Sequence, residues 1–161
     1  MSTPTSTAEH LRRAALQAVQ APPVVGDPAM AALQEAQAGA PLLASDEGGA
    51  PAYWLVPLLQ GEHACGYVRV DLGGRVAQVS AFGAGPRDTA AWPHATYFSA
   101  PPQRLVDEVR ARHPGVALGA ARFSFDASPV RWGWRIAIGE PEQGVAYIGP
   151  TAWYERPAGR R

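Results

Sequence analysis

The chain has 161 residues, 47% of them apolar, and its 14 arginines balance 14 acidic residues to a formal net charge of zero, with no lysine and no asparagine anywhere. That is enough apolar material for one packed domain rather than a disordered chain, and the charge balance argues against a dedicated nucleic-acid binder, which needs a basic surplus to neutralise phosphate. Without lysine there is no P-loop lysine, Schiff base or lysine general base; without asparagine there is no N-glycosylation acceptor; a GC-rich, bacterial coding sequence accounts for both absences.

Residues 1–8 are polar and lack the apolar run of a signal peptide, and no apolar stretch reaches bilayer-spanning length. The expectation is a soluble, cytoplasmic protein with no membrane partner. The single cysteine, Cys65, excludes an intramolecular disulfide framework and any multi-cysteine metal site. No metal or other cofactor is expected.

The first periodic segment runs over about residues 8–20, with Leu11, Ala15, Ala18 and Val19 near one helical face and Thr7 as its N-cap. A second helix is expected from Asp27 (N-cap) and Pro28 (first helical position) to Gly39 just past its end. After a loop at 45–50 the period changes to two. Residues 53–59 read as a mostly buried strand, and 66–72 alternate with Val68, Val70 and Leu72 on one face and Tyr67, Arg69 and Asp71 on the other. Gly73-Gly74 signals a two-residue hairpin into a strand at 75–82, which sets Val68 against Val79 and Val70 against Ala77.

A loop rich in glycine and proline follows at 83–100, carrying Arg87, Asp88, Trp92, His94, Tyr97 and Phe98. Loops of that length are uncommon within compact domains and are often functional; Trp92 and His94 are its candidate site residues, against the alternative that its aromatics pin a linker. Gly83-Ala84-Gly85 lacks the third glycine and the following helix of a dinucleotide fingerprint and is set aside. Residues 101–113 read as a helix closed by Pro114, followed by strands at 121–126, 130–138 and Gly144–Ile148. A turn at 127–130 puts Phe125 opposite Trp132, Phe123 opposite Trp134, and Asp126 beside Arg131.

The expected fold is α+β: two helix-plus-three-stranded antiparallel units preceded by an extra N-terminal helix. They form a single domain over 1–161, in two similar halves of about 1–82 and 101–156 joined by 83–100. The runs Tyr53-Trp54-Leu55-Val56-Pro57-Leu58, Gly66-Tyr67-Val68-Arg69-Val70-Asp71 and Gly74-Arg75-Val76 resemble the strand, strand-ending-in-Asp, turn, strand pattern of the PepSY-like domains, cystatin-like units of one helix on an antiparallel sheet. The resemblance covers 51–82 best; the second half shares only the layout. It implies a binding or inhibitory module, often tied to peptidases, with no catalytic residues to carry over.

Three groups of side chains carry chemistry. His63 and Cys65 are two apart, a spacing that would let an imidazole activate a thiolate, against the alternative of a half-buried, unreactive thiol. The outer sheet faces collect Tyr67, Arg69 and Asp71 in the first half and Arg122, Ser124, Asp126, Arg131 and Arg135 in the second. Arginine mixed with aromatics suits a protein interface, and equally a solvated face of ion pairs. Trp132, Trp134, Phe123 and Phe125 form a dense cluster that reads as core, or else as a ligand pocket. The resulting expectation is a non-enzymatic protein that holds a protein or peptide partner on a sheet face or edge, with homodimerisation open. The rival is a small-molecule protein, enzymatic or not, with a pocket lined by Trp54, Trp132 and Trp134 and His94 as acid or base.

Overall fold

The computed structural model describes residues 4–83 and 88–159. It is a mixed α+β protein whose strands pair mostly antiparallel. The chain divides into two compact units, each described here by itself: the described residues of Met1–Leu43 with Ala52–Thr96, and those of Ala44–Pro51 with Tyr97–Arg161. No helix among the described residues is long and apolar enough to cross a membrane.

In the first unit, α1 (Pro4–Val19) begins at its proline, the residue type suited to a first helical position, so Thr7 lies within the helix and does not cap it. Leu11, Ala15 and Val19, four residues apart on one face, are buried. They pack with Leu33, Val56, Leu58, Val68 and Val70 in one apolar cluster. The second helix is shorter and tighter than expected. Asp27 accepts a hydrogen bond from the Ala29 N–H at 2.9 Å and Pro28 opens the segment, but it is a 3-10 helix that stops at Glu35. Its alanine-rich surface buries too little to hold further turns, and the chain pairs instead as a short strand, β1 (Gln37–Ala38), with Leu59 and Leu58. Gly39 therefore ends no helix; its N–H donates to the Pro57 carbonyl at 2.8 Å.

Three strands follow antiparallel in this unit: β3 (Pro51–Gln60), β4 (His63–Asp71) and β5 (Val76–Ala81), numbered after β2 (Leu42–Ser45). Val68 does face Val79, but a bulge between Arg69 and Val70 brings Val76 opposite Val70 in place of Ala77. The cause is the turn. Asp71 N–H bonds the Arg75 carbonyl at 2.8 Å around Leu72, Gly73 and Gly74, and Gly74 sits at φ +87°, the left-handed conformation that a three-residue hairpin with a glycine bulge requires.

The second unit holds β6 (Arg122–Phe125), β7 (Trp132–Ile138), β8 (Gly144–Ile148) and β9 (Trp153–Pro157), paired antiparallel in that order, with Ser45 of β2 running parallel to Ser124. The expected pairs Phe125–Trp132 and Phe123–Trp134 are both present. β9 was not anticipated, since Pro150 and Pro157 bracket it; as the last strand of the order it tolerates proline where a central strand would not. α2 (Gln103–Arg112) lays Leu105 and Val109 on Ile136, Ile138, Ala146 and Ile148. The inside face of this unit is therefore set by the odd–even pattern of β7 and β8.

Candidate binding face

Alternation along β6–β9 puts a second set of side chains on the face away from α2. In register, Arg122 stands opposite Arg135, Arg135 opposite Tyr147, and Tyr147 opposite Tyr154. The two tyrosine rings stack at 5.5 Å with planes 19° apart. The Arg131 guanidinium lies 6.0 Å over the Tyr154 ring. The result is a strip, arginine–tyrosine–tyrosine–arginine, running across the sheet.

Asp126 organises one end. It is 1% exposed, yet it accepts from the Tyr154 hydroxyl at 2.7 Å, pairs with Arg131 at 3.4 Å and also pairs closely with Arg156. A buried carboxylate with two guanidinium partners and a phenol donor has its charge compensated on all sides. Asp126 lies beside Arg131 as the sequence suggests, but buried rather than on an outer surface. At the other end, Arg135 pairs with Glu142 at 2.7 Å and Arg156 with Glu47 at 3.7 Å. Arg122 donates through Nη2 to the Glu47 carbonyl at 3.0 Å, and its Nη1 fills the space where a Cβ on Gly49 (φ +92°) would sit. The Nε atoms of Arg122 and Arg135 are buried with no hydrogen-bond partner among the described residues.

Two clefts are each lined in part by Tyr147, which is itself 4% exposed. One, of about 480 Å³, lies among Arg131, Trp132, Trp153 and Tyr154 beside the small residues Gly133, Gly149 and Ala152. The other, of about 270 Å³, is lined by Glu47, Arg135, Glu142 and Arg156. Burial raises the Tyr147 and Tyr154 hydroxyl pKa values, and in Tyr147 the nearby Glu47 carboxylate adds to the rise while Arg135 and Arg122 oppose it. Both phenols therefore act as neutral hydrogen-bonding groups at neutral pH. A depression of about 600 Å³ also runs along α1, but all of its lining residues, from Glu9 to Gln20, come from or adjoin that one helix, with no second element closing over it.

The other sequence candidates lie elsewhere. Tyr67 is 7% exposed and its ring meets Phe82 at 5.6 Å, so it offers no outer contact surface. Arg69 lies over the Tyr53 ring at 5.4 Å. Asp71 closes the β4–β5 turn: the Arg75 N–H donates to its Oδ1 at 2.9 Å and the Arg75 guanidinium to its Oδ2 at 3.1 Å. Those donors, the backbone N–H first, hold its carboxyl below the usual value. Its role is to shape the hairpin.

Cys65 points into the first unit's apolar cluster, its thiol donating to the Leu58 carbonyl at 3.3 Å. Burial pushes its pKa up to about 11, the opposite of what a thiolate nucleophile needs. His63 instead is exposed and meets His94 edge-on at 5.3 Å. His94 is exposed, with Nδ1 2.8 Å from the Thr96 hydroxyl. The 92–95 stretch is held to β4 by Ala64 N–H to Pro93 O and Ala95 N–H to Glu62 O, both 2.8 Å. Trp92 packs on the first unit's core. Arg87, Ala84 and Gly85 lie outside the described residues. No group of three or more potential metal ligands occurs among the described residues.

Trp54 belongs to the first unit's cluster. In the second unit Trp132 and Trp134 both contact Phe123, and Trp132 also meets Tyr97 and Phe98, with centroids 5.4–6.3 Å apart. Trp134 Nε1 donates to the Tyr97 carbonyl at 2.7 Å. These rings fill one another's space as core, leaving only one side of Trp132 at the larger cleft. Tyr147, Tyr154 and Arg156 escaped the sequence reading; the available signal was the Gly149-Pro150 turn followed by the strand-favouring Trp153-Tyr154, since 153–157 carries no period-two alternation.

Comparison of the chain with protein-family models, with curated proteins and with solved structures gives no match in any of the three.

Proposed function

We propose that this is a non-enzymatic binding protein of the cytoplasm that holds an extended segment of a protein or peptide partner across the β6–β9 face of its second unit. The observation that carries the reading is the exposed pair Arg131 and Tyr154 beside the larger cleft, backed across the sheet by Tyr147, which is only 4% exposed, and by Arg135. Arginine, tyrosine and tryptophan are the side chains that dominate binding energy at protein interfaces: the aromatics bury large areas with few torsions to freeze, and arginine presents a planar fork of donors. Acidic residues interleave with the arginines here, which suits a protein partner better than a nucleic acid, whose phosphates favour an unbroken basic track.

Kinship with the PepSY-like domains is part of the same proposal. The two units are treated as like modules, each a helix with three antiparallel strands, β3–β5 and β6–β8, to which β9 is an addition. Such modules bind; the extra strand supplies Tyr154 and Arg156 to the face.

The test is selection from a random-peptide display library on the immobilised protein, followed by measurement of enriched peptides against Arg131→Ala. Arg131 is 61% exposed and shares Asp126 with Arg156, so its truncation leaves the buried carboxylate paired. Enriched peptides should lose roughly ten-fold or more in affinity, as expected for an interface arginine, while the melting temperature stays close to that of the parent. Absence of enrichment, or peptides that bind the variant equally well, overturns the proposal.

A further inference from the structure

Beside the smaller cleft, which Arg135 lines, the β6–β7 pair carries a costly arrangement of charge. Arg122 and Arg135 face each other across the β6–β7 pair, like charges that repel. Both keep a buried Nε–H without a partner among the described residues. Sequences depart from local consistency in this way chiefly where function demands it. The Arg135 side chain is 12% exposed, so its charge is held in place by the sheet, whereas its carboxylate partner Glu142 is 38% exposed and sits in the β7–β8 turn. Glu47, the neighbour of Arg156, is 57% exposed on the 46–49 turn. Arg135 is held by its burial and Arg156, 48% exposed, by its pair with the buried Asp126, whereas Glu142 and Glu47 are borne on turns at the rim.

We infer that the Arg135–Tyr147–Arg156 cleft is a seat for an acidic side chain of the bound segment, occupied in the free protein by the chain's own Glu142. This rests on the binding reading above and names the chemistry of one position of the partner. A guanidinium presents a planar fork that matches a carboxylate, and Glu142 already brings a carboxylate to this one, with Oε1 2.7 Å from Arg135 Nη2. The volume, about 270 Å³, suits one side chain and falls below the range of cofactor-sized pockets. Both clefts are lined in part by Tyr147, and Arg135 follows Tyr154 and Tyr147 in register on the same face, so a segment held at Arg131 and Tyr154 runs toward Arg135. Glu142 then acts as an internal competitor that lowers the apparent affinity by the fraction of time it occupies the seat.

The experiment uses the full chain and two blocked tripeptides, acetyl-Trp-Glu-Tyr-amide and acetyl-Trp-Gln-Tyr-amide, titrated by NMR while the Arg Nε–H resonances are followed, with a phosphoserine tripeptide as a third arm. The glutamate peptide should shift the Arg135 Nε–H and bind more tightly than the glutamine peptide. Glu142→Ala should bind the glutamate peptide roughly three- to ten-fold more tightly than the parent, the gain expected when a competing state is removed, and leave the glutamine peptide unchanged. Equal binding of both peptides with Trp132 and Tyr154 resonances moving overturns the carboxylate seat and leaves the binding face standing. Tighter binding of the phosphoserine arm than of the glutamate peptide, or no gain from Glu142→Ala, overturns the seat as well. If no peptide moves any resonance of the face, the seat and the face fall together.

Discussion

Arg135 on β7 stands directly opposite Arg122 on β6, and each buries an Nε–H that nothing among the described residues accepts. The pair costs stability: like charges oppose one another, and an unsatisfied buried donor carries its desolvation penalty of about 1–3 kcal/mol. Arg135→Met keeps the length of the side chain and removes both costs, at the loss of its hydrogen bond to Tyr147 and of the ion pair with Glu142, whose carboxylate side chain is 38% exposed. The expected outcome is a protein about as stable as the parent or up to ~1 kcal/mol more so. Urea denaturation measures it, and a loss of more than about 2 kcal/mol would show Arg135 to be a structural residue.

Asp126 behaves in the opposite way. Its carboxylate is 1% exposed and holds the Tyr154 hydroxyl, Arg131 and Arg156 together. Asp126→Ala leaves two guanidinium groups and a phenol facing an apolar gap, and should cost roughly 3 kcal/mol. In the same variant Arg156 and Tyr154 lose their anchor, so the near-ultraviolet circular dichroism of the Tyr147–Tyr154 stack should weaken. A destabilisation below about 1 kcal/mol would mean that the pairs contribute only as exposed ones do.

The interior of the first unit makes a prediction about alkali. The Cys65 thiol is pushed by burial from 9.0 to about 11, and burial also raises the Tyr53 hydroxyl of this unit, and the Tyr97 hydroxyl of the second unit, above their usual 10.0. A folded-state pKa above the unfolded value means that the folded chain holds the proton more tightly. The associated stability is complete below the unfolded value and is lost as pH climbs through the folded one. Stability should therefore be level from neutrality to about pH 9 and fall between pH 9 and 11. A thiol reagent at pH 8 should leave Cys65 untouched until denaturant is added; rapid labelling of the native protein would contradict the buried geometry.

Gly66 packs where no side chain fits. A Cβ there would lie 2.3 Å from the Ser80 carbonyl oxygen of β5 and 2.6 Å from Leu33. The oxygen belongs to backbone in a paired strand, so relief requires moving β5 itself. Gly66→Ala should destabilise by about 1–3 kcal/mol, the usual range for overpacking, and amide exchange should show the loss concentrated in β4 and β5. A melting temperature equal to the parent's would show that β5 yields freely.

Much of the strand architecture was legible because period-two alternation reports which face is buried, and facing pairs can be checked against each other. Phe123–Trp134, Phe125–Trp132 and Val68–Val79 follow from that logic alone. The reading failed where a turn changed the count, as at Val70, because one bulged residue shifts every pair beyond it. It failed again at Tyr67, where alternation placed the ring outward and the fold buries it; both sides of a strand can be covered, and periodicity records only contrast between them. The 3-10 helix at Pro28–Glu35 illustrates a third limit: Asp27 and Pro28 announce a helical start, but length is decided by how much surface the segment can bury.

The sequence by itself determined the α+β class, the order of six of the nine described strands, most of the hairpin pairs and the arginines of β6 and β7, since each depends on neighbours a few residues away. Only the tertiary structure decided that Cys65 is inert, that Asp126 is buried, and that Tyr147, Tyr154, Arg156, Glu47 and Glu142 join Arg131 and Arg135 on one face. Those facts depend on β9 and the 46–49 turn arriving beside β8 and β6 from distant parts of the chain. Burial and charge pairing are properties of what arrives, and no local pattern encodes them.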